Sequence, residues 1–354
     1  MTTLSGTAVG VRPARLRACW LAAGVAAVLV ALVLGLTMGP VAIRPGAAVE
    51  ELLSHLPLLG LRSSLSVQQA TIVSQLRLPR VVLGLLVGSM LAMAGASYQG
   101  VFRNPLADPY LLGAAAGAGL AVTVVIVSTA QGLGSTDPTV PLAAFVGALG
   151  AVTLTYLVGR SAGGRSPATL LLAGVAIASF LTAVQTYLQQ QHTDTIREVY
   201  SWILGRLTTA GWSEVVLILP YFVVTTAVLL AHRRVLDVLA VGEAEAGTLG
   251  IPVARTRLVI VAAASLATAA AVAVSGLIGF VGIIVPHAIR LAAGASYRVI
   301  LPLSILFGAA FLALADLAAR TVTAPSEIPI GVVTAFVGAP FFVLVLRTTQ
   351  VGRR

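Results

Sequence analysis

Few side chains in this sequence could handle protons, metals or covalent chemistry, and their spacing limits what they could do. Asp316 is the only acid well inside an apolar run, with Arg320 four residues later on the same helical face. At that spacing the two can pair. One paired acid makes no relay of the kind ion-coupled transporters build from intramembrane acids and histidines. His287 follows Pro286 and reads as hydrogen-bonded structure rather than as a metal ligand. His55, His192 and His232 are scattered and form no ligand cluster. Cys19 is the only cysteine, which excludes an intrachain disulfide and disfavours a cysteine metal site. Neither serine with histidine nor two aspartates meet at depth as an intramembrane enzyme requires. No Walker-type phosphate loop is present, so ATP hydrolysis by this chain is not expected.

The densest polar cluster is Gly100-Val101-Phe102-Arg103-Asn104-Pro105-Leu106-Ala107-Asp108-Pro109-Tyr110, set between two long apolar runs. Lipid cannot satisfy its backbone, so it must lie at the water interface or line a cavity.

The elements that position these residues follow from composition. Of 354 residues, 58% are hydrophobic and 10% charged, and the mean hydropathy is +1.00. A soluble domain carries about a quarter charged residues. Apolar runs of about 20 residues match a bilayer. They lie near 18–39, 81–100, 111–130, 140–159, 168–189, 212–231, 257–275, 278–293, 299–319 and 330–347. The reading is an all-α membrane protein of about ten transmembrane helices. Residues 1–17 form a cytoplasmic tail, and 18–354 a single transmembrane domain with its largest cytoplasmic loop near 232–256. The eighth run is short, glycine-rich and interrupted by Pro286.

Net charge is +10 and every basic residue is arginine. The arginines gather in alternate loops, which argues for the positive-inside rule rather than a nucleic-acid partner and puts both termini in the cytoplasm. The first run is too long for a cleaved signal and reads as a retained helix. The segment 40–80 is a long external connection. Gln190 to Gly211 lies at the outer surface, with a short helix around Trp202.

A series of motifs then converges: Arg77-Leu78-Pro79-Arg80; Gly95-Ala96-Ser97-Tyr98-Gln99-Gly100; Arg103 to Pro109; Gly276 to His287 with Arg290; Asp316 with Arg320; and Glu327 to Thr334 with Gly338-Ala339-Pro340-Phe341. In this order they closely resemble the FecCD-type permeases, the membrane subunits of type II ABC importers for iron–siderophores, haem and vitamin B12. The resemblance covers residue 70 to the C-terminus. It implies a second permease subunit, identical or paralogous, two cytoplasmic ATPase subunits that use the ATP, and an external substrate-binding protein. It implies no cofactor bound by this chain.

The resemblance also assigns roles. Arg77, Arg80 and Arg320, at outer helix ends, would receive acidic side chains of the binding protein; anchoring at headgroups, or for Arg320 a pair with Asp316, is the plainer alternative. Asn104 and Leu106 would form a cytoplasmic gate, against the alternative of a proline-fixed turn. At the start of the fifth run, Pro167-Ala168 matches the family's other constriction poorly. Gly242, Glu243, Ala244, Glu245, Ala246, Gly247, Thr248, Leu249 and Gly250 would form a coupling helix seated on the ATPase, closed by Gly250. A solvated loop is its alternative. Gly276 to Pro286 reads either as close helix packing or as a broken helix lining a cavity.

Overall fold

Apolar runs of bilayer length can satisfy their backbone only as helices. Each run is helical in the computed structural model, which describes residues 16–54, 63–129, 138–161, 167–207 and 211–351. The chain begins with α1 (Ala18–Thr37) and α2 (Pro45–Ser54). Then α3 (Val67–Thr71) passes through a π-helical stretch, Ile72–Arg77, into α4 (Leu78–Phe102). A 3-10 turn, Pro109–Leu112, leads to α5 (Ala114–Ser128), α6 (Thr139–Ser161) and α7 (Pro167–Gln191). The short α8 (Ile196–Ile203) is followed by α9 (Trp212–Ala231), α10 (Arg233–Val241) and α11 (Glu243–Thr248). The remainder is α12 (Val253–Ser275), α13 (Val281–Ala293), α14 (Tyr297–Thr321) and α15 (Ile330–Val351). Among the described residues there is no strand.

Seven helices are long and apolar enough to cross a membrane, and α5, α13 and the described part of α15 are shorter apolar helices. The ten expected runs all correspond to helices. The short helix with Trp202 is α8, and the expected coupling helix is α11. The amphipathic α10, held by buried Leu236 and Leu239, was not foreseen.

At the centre stands α4, where every residue from Val87 to Phe102 is buried. A helix apolar on all faces belongs in such a place. It packs against α14, α12, α13 and α9. Glycines set the closest approaches. A Cβ at Gly95 would lie 2.0 Å from the Gly282 carbonyl oxygen of α13, and one at Gly88 would lie 2.2 Å from the Gly308 oxygen of α14. The same device joins α5 and α6, where a Cβ at Gly117 would sit 2.2 Å from the Gly147 oxygen. Small residues drive helix association in lipid, where apolar side chains gain nothing by leaving the solvent. Outer helices instead present large apolar side chains outward, among them Leu172 and Phe180 of α7 and Phe336 of α15.

Candidate functional site

The first element of the site is a break in the helical core. The chain leaves α12 at Ser275 and re-enters helix at Val281, with Gly276 at φ 68° and Phe280 at φ 69°. The left-handed region suits glycine and strains phenylalanine. Unwound backbone at membrane depth needs protein partners, and it has them. The Arg206 N–H donates to the Ser275 oxygen at 2.8 Å. The Tyr110 hydroxyl donates to the Ile278 carbonyl at 3.1 Å and accepts from the Ile278 N–H at 3.2 Å. Gly276 to Pro286 thus combines both sequence readings: a non-helical segment, and close glycine packing where Gly282 meets Gly95.

Tyr110 comes from the polar cluster after α4, which folds back against the break. Arg103 ends α4 in a left-handed conformation at φ 50°. The Asn104 Oδ1 accepts from the Leu106 N–H at 3.0 Å, the ordinary side-chain turn of asparagine. The Asp108 carboxylate accepts from the Tyr110 N–H at 2.7 Å and starts the 3-10 turn, and the Pro109 ring lies against Gly282. Asn104 and Leu106 are half-buried within this one turn. Pro167 begins α7, and Ser166 before it lies outside the described residues.

The second element lies where α4 begins and α14 ends. Helix ends leave carbonyls without partners, and at the end of α1 two arginines supply donors. Arg77 Nη1 donates to the Leu36 oxygen at 2.7 Å and to the Thr37 oxygen at 3.3 Å, and its Nη2 reaches Val41. Arg320 Nη2 donates to the Gly35 oxygen. Both guanidinium groups are buried, and positive charge suits a helix C-terminus. Arg80 grips Asp316 with Nη2 at 2.8 Å and Nε at 3.1 Å, and holds Glu327 at 2.9 Å.

Asp316 keeps the one-turn ion pair that the sequence suggests and gains a second partner. Arg320 does approach it, at 3.6 Å, but the hydrogen-bonded partner is Arg80 from another helix. The cluster floors a cavity of about 390 Å³ whose rim carries Arg197 and Arg206. Arg80 lines that cavity, whereas Arg77 and Arg320 face inward.

The third element is the segment after α9, at the opposite end of α4. In α11, Ala246 is buried, whereas Ala244, Glu245, Gly247, Thr248, Leu249 and Gly250 are exposed. Gly242 precedes the helix, and Gly250 follows at φ 73°. Glu243 pairs with Arg257 at the start of α12. That tie fixes α11 to the membrane domain.

Expected as hydrogen-bonded structure, His287 instead has its buried Nδ1 without a partner, and its ring stands edge-on to Phe341 at 6.0 Å. Among the described residues no group of three or more His, Cys, Asp or Glu could hold a metal ion.

A helical domain with a broken core helix, an arginine-rich mouth at one end and a short helix at the other is that of a polytopic membrane protein. Residues 27–348 match the model of the FecCD transport family, and the chain belongs to that family as an ABC transporter permease. It is 45% identical over 280 residues to the cobalamin import system permease BtuC of Halobacterium salinarum, covering 79% of this chain and 74% of that one. It is 40% identical to the hemin transport system permease HmuU of Yersinia pestis, over 78% of this chain and 83% of the relative. The Fe(3+) dicitrate permease FecD of Escherichia coli is 37% identical, over 78% and 85%. A solved structure described as an inward-facing conformation of a metal-chelate type ABC transporter superposes with a TM-score of 0.80 at 27% identity, covering 93% of this chain and 98% of that one.

Proposed function

We propose that this chain is the membrane-spanning subunit of a binding-protein-dependent ABC importer that moves a metal chelate into the cytoplasm by ATP-driven alternating access. The family match over residues 27–348 carries the reading. The relatives' names span cobalamin, hemin and iron citrate; an iron–siderophore is our favoured cargo, with vitamin B12 or haem the alternatives. Both termini and α11 lie on the cytoplasmic side in this reading.

Each partner has a surface that suits it. A second permease subunit would cover the outward apolar faces of α7 and α15, where Leu172 and Phe336 stand exposed. The ATPase would seat the exposed rim of α11, and Asn104 with Leu106 would gate the cytoplasmic side. The binding protein would offer acidic side chains to Arg197 and Arg206 at the rim and to Arg80 on the cavity floor. Arg77 and Arg320 would serve docking from behind, by holding the helix ends in place. An ion-coupled secondary transporter is the rival of another class, but Asp316 and its neighbour Glu327 are both held by Arg80.

Reconstitution tests this. Liposomes holding this chain with its cognate ATPase and binding protein should take up ferric siderophore, hemin or cobalamin when ATP is enclosed. The chain alone, under a proton or sodium gradient, should move none of them. Gradient-driven uptake by the chain alone would end the proposal.

The coupling surface has its own test. Leu249 is 68% exposed just after α11, an apolar tip. Leu249→Asp should weaken co-purification of the ATPase about tenfold or more, the scale of an interface anchor. It should leave the permease's own melting temperature unchanged. Undiminished ATPase capture would move the coupling surface elsewhere.

A further inference from the structure

A proline inside a helix removes one hydrogen-bond donor and frees the carbonyl four residues earlier. In α13 the proline is Pro286, and the freed carbonyl belongs to Gly282. That oxygen accepts instead from Gln99 Nε2 of α4, at 3.1 Å. Gln99 is buried in the stretch of α4 whose Gly95 touches the Gly282 backbone. A donor on one helix thus fills the vacancy left by a proline on another.

The same amide continues the path. Its Oε1 accepts from Arg290 Nη2 at 3.1 Å, one turn beyond Pro286. Gln99 therefore holds α13 on both sides of the proline. Arg290 Nη2 also donates to the Tyr297 hydroxyl at 3.2 Å, and its guanidinium lies 5.7 Å from the centre of that ring. Tyr297 opens α14, and its N–H donates to Asp237 Oδ1 of α10 at 2.5 Å. The Ser296 hydroxyl donates to Asp237 Oδ2 at 2.8 Å. An acid at a helix N-terminus is well placed. The Tyr297 ring also packs on Gly100, one residue after Gln99.

We propose that Pro286 is a hinge in α13 clasped by Gln99, and that Asp237, Tyr297 and Arg290 link the α10–α11 segment to it. Three features suit α13 to pivot. It has 13 residues, about 20 Å of helix against a hydrocarbon core of about 30 Å. It starts from the strained Phe280, with no side-chain cap. It contains the proline. Gln99 is then a positioning residue, and Asp237 is the point where movement of α10 enters the membrane domain. The link to ATP rests on the importer reading; the clasp does not.

Hydrogen exchange on the full-length chain in lipid nanodiscs tests the clasp without any partner. Gln99→Leu should speed exchange of the amides in residues 281–289 about fivefold, as loss of one hydrogen bond implies. Pro286→Ala restores the missing donor, so Gln99→Leu in that background should change exchange little. Asp237→Asn should loosen the same 281–289 segment, while Glu245→Gln on the exposed rim should not. If Gln99→Leu leaves these amides unchanged, or acts equally with Pro286→Ala, there is no clasp. If Asp237→Asn acts only on the first turn of α14, there is no link.

The hinge is read in the assembled transporter, using whichever of ferric citrate, hemin or cobalamin the unmodified chain takes up. Pro286→Ala should keep ATP hydrolysis and lose uptake at least tenfold. Normal uptake by this variant would overturn the hinge. Absence of uptake by the unmodified chain with all partners would count against the importer reading instead, and the exchange results would still decide the clasp.

Discussion

Replacing Arg77, Arg80 and Arg320 together with glutamate is expected to destroy the folded chain, not merely its meeting with a partner. On the sequence these arginines stand at helix ends, where charge reversal would cost docking alone. In the structure Arg77 and Arg320 are buried on the last carbonyls of α1, and Arg80 is committed to Asp316 and Glu327. Reversal would strip those carbonyls of donors and crowd four carboxylates around buried Asp316. Breaking one buried pair already costs about 3–5 kcal/mol. The cleanest version is Asp316→Asn, which leaves Arg80 and Arg320 facing each other with weakened compensation. It should lower the melting temperature of the detergent-solubilised protein sharply. Adding Arg80→Gln should recover part of the loss, because the neutral pair can hydrogen-bond. A full-strength, monodisperse triple variant that fails only in uptake would restore these arginines to the docking surface.

The second large effect should come from one methyl group. Gly95→Ala would place a Cβ 2.0 Å from the Gly282 oxygen and 2.5 Å from its Cα. Overfilling a packed core typically costs about 1–3 kcal/mol. Here the obstacle is backbone, which cannot turn aside as a side chain can, so the upper end or beyond is expected. Relief would require α13 to back away from α4, which would also pull Gly282 off Gln99. Gly150→Ala in α6 is the matched control, since an added Cβ there meets nothing within 4 Å. It should be neutral or stabilising, by up to about 1 kcal/mol from helix propensity. Equal melting temperatures for the two variants would mean that the α4–α13 contact is not tight.

The helices were legible because hydropathy and run length decide them in lipid, and no sidedness had to be judged. Their ends were less so. The eighth run was placed from 278, yet helix starts at Val281. Phe280 takes a left-handed conformation that its residue type argues against, and only the surroundings can impose it. Missed in a polar loop, α10 has an apolar face of Leu236 and Leu239 flanked by half-buried Val235 and Val238, which matters once α4 and α14 are beside it. Asp316 shows the same limit. Its neighbour at four residues is visible in the sequence, whereas Arg80, 236 residues away, is not. Gln99 did leave a signal: Pro286 stands four after Gly282, so a donor for that oxygen was owed from somewhere. Which residue lends it is a fact of packing.

Tyr110 meets both polar groups of Ile278 with a single hydroxyl. Neither can shift without the other unless both bonds at Ile278 fail at once. The turn bearing Asn104 and Leu106 and the unwound stretch beside Phe280 therefore travel as one piece. If Asn104 and Leu106 gate the cytoplasmic side as proposed, opening there would pull on the stretch beside Phe280 through these two bonds.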